Sequence, residues 1–151
     1  YKTGAASSSP LTAAEASTSA TSKLHRTSTP FGVDITNVEL QIKALLTAAK
    51  GIEIGHPRQE IPYTLYVPAD DHESFDISRY FNQAAGFIND CLQKTNIMVH
   101  CLAGVSRSVS LVLAYLIKHR NMSYSSAYER VKSRRRIIHP NDGFIDQLRR
   151  L

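Results

Sequence analysis

His100-Cys101-Leu102-Ala103-Gly104-Val105-Ser106-Arg107-Ser108 is the stretch on which the reading of this chain turns, because it gathers a thiol, a glycine and a guanidinium within nine residues. Ile97-Met98-Val99 ahead of it is a short apolar run of the kind that makes a buried strand, and the apolar run from Val109 to Ile117 behind it is long enough for a buried helix. A strand-loop-helix turn is expected. Five residues between Cys101 and Arg107 are enough to curl the backbone around a phosphate-sized anion, with the N–H groups of Leu102, Ala103, Gly104, Val105 and Ser106 turned inward and the positive end of the next helix added. Gly104 permits the bend and a close approach to the anion. Arg107 can hold two phosphate oxygens with its planar fork while Cys101 sits below the phosphorus for in-line attack. The same field is expected to lower the thiol pKa below its free value of about 8.5. Ser108 has a hydroxyl placed to donate to the sulfur as it leaves. The chemistry implied is hydrolysis of a phosphomonoester through a cysteinyl-phosphate.

The spacing alone is weak. With 2 Cys and 11 Arg in 151 residues, an arginine six positions after a cysteine arises by chance roughly once in seven such chains. Requiring His100, Gly104 and Ser108 as well lowers this to on the order of one in ten thousand.

The extended motif resembles the signature loop of the dual-specificity protein phosphatases, a branch of the cysteine-dependent protein tyrosine phosphatases. The resemblance continues from about Tyr63 to Leu151, through Asp70-Asp71, Phe75-Asp76-Ile77-Ser78-Arg79-Tyr80-Phe81, Ala114-Tyr115-Leu116, Ala127-Tyr128 and Pro140-Asn141-Asp142-Gly143-Phe144. It implies an α/β fold of the phosphotyrosine-phosphatase type, a central mostly parallel sheet flanked by helices. It also implies that Cys101 is the nucleophile, Arg107 the phosphate clamp and Ser108 the thiolate stabiliser, with His100 helping to set the cysteine's pKa.

Such chemistry needs an acid to protonate the departing oxygen, and Asp70, Asp71, Glu73 and Asp76 are the candidates. Asp76 is expected to be the N-cap of a helix whose apolar face carries Ile77, Tyr80, Phe81, Ala84, Phe87, Ile88 and Cys91. Asp71, 30 residues before Cys101, matches the family's general-acid position, and Asp70 is the alternative. The competing reading makes both ordinary loop carboxylates.

A chain of this length with 42% hydrophobic residues can build one domain with a real core. Two cysteines ten apart make no disulfide framework, and a working thiol needs a reducing compartment, so cytoplasm or nucleus is expected. Cys91 falls on the apolar face of its helix and reads as core; a redox partnership with Cys101 is the competing reading. No apolar run reaches the roughly 18 residues of a membrane span. The histidines show no ligand-like pairing, so neither a metal nor another cofactor is expected.

The net charge of +5 comes from the C-terminal third: residues 107 to 151 carry 10 basic and 3 acidic side chains, residues 1 to 106 carry 8 and 10. An anionic substrate is drawn to that end. Lys132-Ser133-Arg134-Arg135-Arg136 is expected to close a helix starting at Ser123, where the cations suit the C-terminal dipole. By resemblance, Arg135 could instead contact a second phosphate or an acidic substrate residue. Nucleic acid is disfavoured, since no aromatic residues interleave with the arginines.

Residues 1 to 30 hold 7 Ser, 6 Thr and 6 Ala and read as a flexible tail, leaving 31 to 151 as the catalytic domain. Thr36-Asn37-Val38-Glu39 has a capping-box pattern, and Val38, Ile42, Leu45, Leu46 and Ala49 follow at helical spacing, predicting a helix up to Gly51. The resemblance implies two further strands ahead of the acid loop; the tail holds no counterpart of the first, and Gly51-Ile52-Glu53-Ile54-Gly55 is a meagre version of the second. Tyr63-Thr64-Leu65-Tyr66-Val67 is a better strand, ending at Pro68.

Leu102, Ala103, Val105 and Ser106, the variable loop positions, are all uncharged, whereas a polyphosphorylated inositol headgroup would favour lysines there. A single phosphate on a protein is the expected substrate, with dual specificity and mitogen-activated protein kinases as substrates implied by resemblance. A catalytically weak phosphoprotein-binding module and a lipid or RNA phosphatase are the alternatives. The presence of Cys101, Arg107 and Asp71 argues against the first.

Overall fold

The computed structural model describes residues 41–51 and 61–151. Their elements run β1 (Ile42–Ala48), β2 (Tyr63–Val67), a single 3-10 turn (Ser78–Tyr80), α1 (Phe81–Leu92), β3 (Asn96–His100), α2 (Arg107–Arg120), α3 (Tyr124–Arg134) and α4 (Asp142–Arg149). The three strands form one parallel sheet in the order β2-β1-β3, with helices packed against it. The expected parallel α/β architecture is therefore present.

One expectation fails. The segment around Ile42, Leu45 and Leu46, read as a helix, is the central strand β1, paired with β2 along Ala44 to Ala48 and with β3 along Ile42 to Thr47. A short apolar run fits a helical face and a strand buried on both sides equally well. Here both sides are buried: Ala44, Leu46 and Ala48 join the main core, while Leu45 packs with Ile61 and Met98 on the other side. Non-local pairing with two neighbours outweighs the local helical pattern. β1 also supplies a further strand ahead of the acid loop, in a segment expected to be helical. The capping-box residues, most of the 51–55 stretch and the N-terminal tail lie outside the described residues.

Asp76 is not the cap of α1 either. Its Oδ1 accepts the Ser78 hydroxyl at 2.5 Å at the entrance to the 3-10 turn, and α1 begins only at Phe81. The expected apolar face nevertheless points inward, with Ile77, Phe81, Ala84, Ile88 and Cys91 buried and Tyr80 and Phe87 packed beside them. α2 is the hub: Ser108 through Leu116 are all buried, as an all-round apolar helix at the centre of a domain must be. Phe144 and Leu148 pin α4 to the same core.

The approach of α4 to the acid loop is extremely close. A Cβ on Gly143 would overlap the Glu73 carbonyl group, so that position takes glycine for space. In an ordinary helix, replacing glycine by alanine stabilises by about 0.5–1 kcal/mol. At Gly143 the sign should reverse: Gly143→Ala is expected to destabilise by about 1–3 kcal/mol through overpacking. Urea unfolding checks this, and an unchanged or raised midpoint would refute it.

Candidate active site

β3 delivers Cys101 to the start of the loop, and α2 begins at Arg107. Between them the backbone is turned by Gly104, at φ +65. That is a left-handed conformation with little penalty only for glycine. A side chain there would also collide with Arg135, whose Nη2 would lie 2.6 Å from the added Cβ.

The loop is held from outside. Arg135 Nε donates to the Gly104 carbonyl at 2.9 Å and Nη2 to that of Ala103 at 3.4 Å, while the His139 N–H donates to Val105 at 2.9 Å. In a trans peptide the C=O and N–H point in opposite directions. Three carbonyls drawn outward therefore turn the N–H groups of Gly104, Val105 and Ser106 inward. The Gly104 N–H reaches the Cys101 sulfur at 3.2 Å.

That sulfur also accepts the Ser108 hydroxyl at 3.2 Å, and the residue is 5% exposed. Burial pushes the Cys101 thiol up, but the hydroxyl and N–H of Ser108, the N–H of Gly104 and the charge of Arg107 together outweigh it, leaving the pKa below its ordinary value. Cys91 has the opposite balance: burial pushes its thiol up, offset only partly by Lys94. His100 Nε2 is 2.9 Å from Thr47 Oγ1 and its Nδ1 3.3 Å from the Cys101 carbonyl.

Arg107 lies with its side chain 12% exposed, Nη1 donating to the Ala69 carbonyl at 3.4 Å and Nε 3.7 Å from Asp71 Oδ2. That buried Nε has no hydrogen-bond partner among the described residues. Asp71 Oδ1 accepts the Ser106 hydroxyl at 2.7 Å and the Asn141 amide at 2.9 Å. Because Ser106 gives its hydroxyl to Asp71, α2 starts without a side-chain cap, and its first N–H groups remain available at the loop.

The loop and Asp71 are thus brought together, with Asp71 and Ser106 lining an open groove of about 320 Å³ that also takes in Val105, His139 and Asn141. Asp70 is not at the groove; it pairs with exposed Lys50 at 3.3 Å. Leu102 is 58% exposed at the rim. Arg135 closes α3, the helix expected from Ser123, whose hydroxyl caps it, and directs its guanidinium at the loop carbonyls. Thr47 and Gln147 were missed by sequence reasoning. Thr47 lay in a segment read as helix, and Gln147, which bridges the Ser78 N–H and the Phe75 carbonyl at 2.8 and 2.9 Å, carries no local signal.

With this geometry in hand, comparison with known proteins is decisive: residues 29–151 match the model of the dual specificity phosphatase catalytic domain. The chain belongs to the dual specificity phosphatase family. It is 45% identical over 83 residues to human dual specificity protein phosphatase 9, an alignment spanning 54% of this chain and 22% of that protein. With dual specificity protein phosphatase 1B of Arabidopsis thaliana it shares 39% identity over 108 residues, 71% of this chain and 64% of the other. The crystal structure of DUSP15 superposes with a TM-score of 0.66 at 30% identity, covering 72% of this chain and 69% of that one. The chain spans about a fifth of the length of the human relative.

Removing the Ser108 hydroxyl takes away a donor that favours the thiolate. Ser108→Ala is therefore expected to raise the Cys101 pKa, moving the pH profile of iodoacetamide alkylation to higher pH. An unshifted profile would remove Ser108 from this role.

Proposed function

We propose that this chain hydrolyses phosphotyrosine and phosphoserine or phosphothreonine in protein substrates through a cysteinyl-phosphate, with Asp71 as general acid. The observation that carries the reading is the convergence on one loop of a thiol with a lowered pKa, a half-buried arginine and a carboxylate from a separate segment. The inward N–H groups and Arg107 would hold the phosphate oxygens. Cys101 Sγ then attacks phosphorus in line as the bond to the ester oxygen breaks, its electron pair staying on that oxygen, which takes the proton of Asp71 and leaves as the alcohol or phenol. In the second half Asp71 takes a proton from water as the water oxygen attacks phosphorus. The sulfur departs as thiolate, received by the Ser108 hydroxyl.

The uncharged loop positions Leu102, Ala103, Val105 and Ser106 support a single phosphate on a protein over a polyphosphorylated headgroup. A thiol that must stay reduced supports a cytoplasmic or nuclear setting. Phosphorylated mitogen-activated protein kinases are the first protein substrates to assay, on the strength of the family resemblance.

Cys101→Ser should abolish turnover of a phosphotyrosine peptide while leaving its binding largely intact, as read by steady-state assay and calorimetry; full activity would remove the nucleophile. Asp71→Asn should lower kcat about 10²- to 10⁴-fold on substrates with poor leaving groups. Equal activity would exclude it as the acid. Arg107→Lys keeps the charge but loses the bidentate fork, and should fail to restore turnover.

A further inference from the structure

We propose that Asn141 is a positioning residue for the acid: together with Ser106 it fixes Asp71 so that the transferable proton resides on Oδ2, the oxygen on the Arg107 side. The inference rests on the assignment of Asp71 as general acid.

Two backbone N–H groups set the polarity of this network. The Phe144 N–H donates to Asn141 Oδ1 at 2.9 Å, which orients the amide so that its NH₂ group faces Asp71. The Asn141 N–H donates to Ser106 Oγ at 3.1 Å, leaving the hydroxyl's own proton for Asp71. Both partners of Asp71 Oδ1 are therefore donors, at 2.7 and 2.9 Å. A proton on Oδ1 would face the amide hydrogens, which have no lone pair to accept it. No donor reaches Oδ2 within hydrogen-bond distance among the described residues; the group facing it, Arg107 Nε on the cation proposed to clamp the phosphate, stands off at 3.7 Å. The proton leaves from Oδ2 to the ester oxygen as the P–O bond breaks, and returns to Oδ2 from the attacking water. Asn141 also caps α4, so the rigid element that buries Phe144 and Leu148 carries the group that aims the acid.

The test separates cap from aim. Asn141→Ser keeps a good capping acceptor for α4 and deletes the donor to Asp71. Its kcat is measured on phenyl phosphate, whose leaving group needs a proton, and on 4-nitrophenyl phosphate, whose leaving group does not. A roughly ten- to hundredfold loss on the first with less than about threefold on the second is expected. Equal loss on both, or no loss on either, would overturn the proposal. Ser106→Ala, which keeps the Asn141 Oδ1 bond that caps α4 and removes, besides the donor to Asp71, only the acceptor of the Asn141 N–H, should show the same discrimination and serves if Asn141→Ser fails to fold. Asp71→Asn run alongside distinguishes the two levels: if it does not discriminate between the substrates, the acid itself is misassigned; if it does and the Asn141 and Ser106 variants do not, only their positioning role falls.

Discussion

Keeping the enclosed Cys101 thiol easy to ionise at the end of β3 is the constraint on which this structure depends. Burial works against the charge, and Cys101 is almost wholly enclosed. The compensation is assembled from groups that belong to other parts of the fold: a hydroxyl and an amide on α2, an amide at the turn of the loop and the guanidinium of Arg107. None is effective unless the loop keeps its curl, and the curl is maintained by outward bonds from its carbonyls to Arg135 and His139. The basic end of α3 therefore serves the site by holding backbone, in addition to raising the local positive potential.

The second dependence runs through α4. Its first turn sits against Glu73, its capping asparagine holds Asp71, and Gln147 bridges Phe75 and Ser78. The acid loop is thus fastened at its start, middle and end to one short helix, itself pinned by Phe144 and Leu148. Asp71 and Arg107 come from segments far apart in sequence, and it is this helix together with Ser106 that holds them in register.

Much of this was legible in the residues, and what was not has a physical reason. The apolar Ile97-Met98-Val99 of β3, the alternating β2 and the long apolar α2 carry their own periodicity, and the spacing from Cys101 to Ser108 encodes a local turn, so these follow from nearby sequence. β1 does not: from Ala44 to Ala48 it is buried on both sides, Leu45 and Thr47 on one and Ala44, Leu46 and Ala48 on the other, and only its pairing with β2 and β3 distinguishes it from a helix. With β1 misread, the contact of Thr47 with His100 was invisible. Asp71 is preferred to Asp70 by resemblance alone; its contact with Asn141, and the roles of Gly143 and Gln147, depend on contacts across about 70 positions, which no local pattern records.

The connection between α3 and α4 is also a ruler. Arg135 meets Gly104, His139 meets Val105 and Asn141 meets Ser106, so two chain segments run alongside each other with their anchors in step. Inserting or deleting a single amino acid between Arg135 and Asn141 would throw one anchor out of phase whatever residue was chosen. In this stretch chain length is constrained as tightly as side-chain identity, and tolerance to indels should be lost here even though Arg136 and Ile137 within it face solvent.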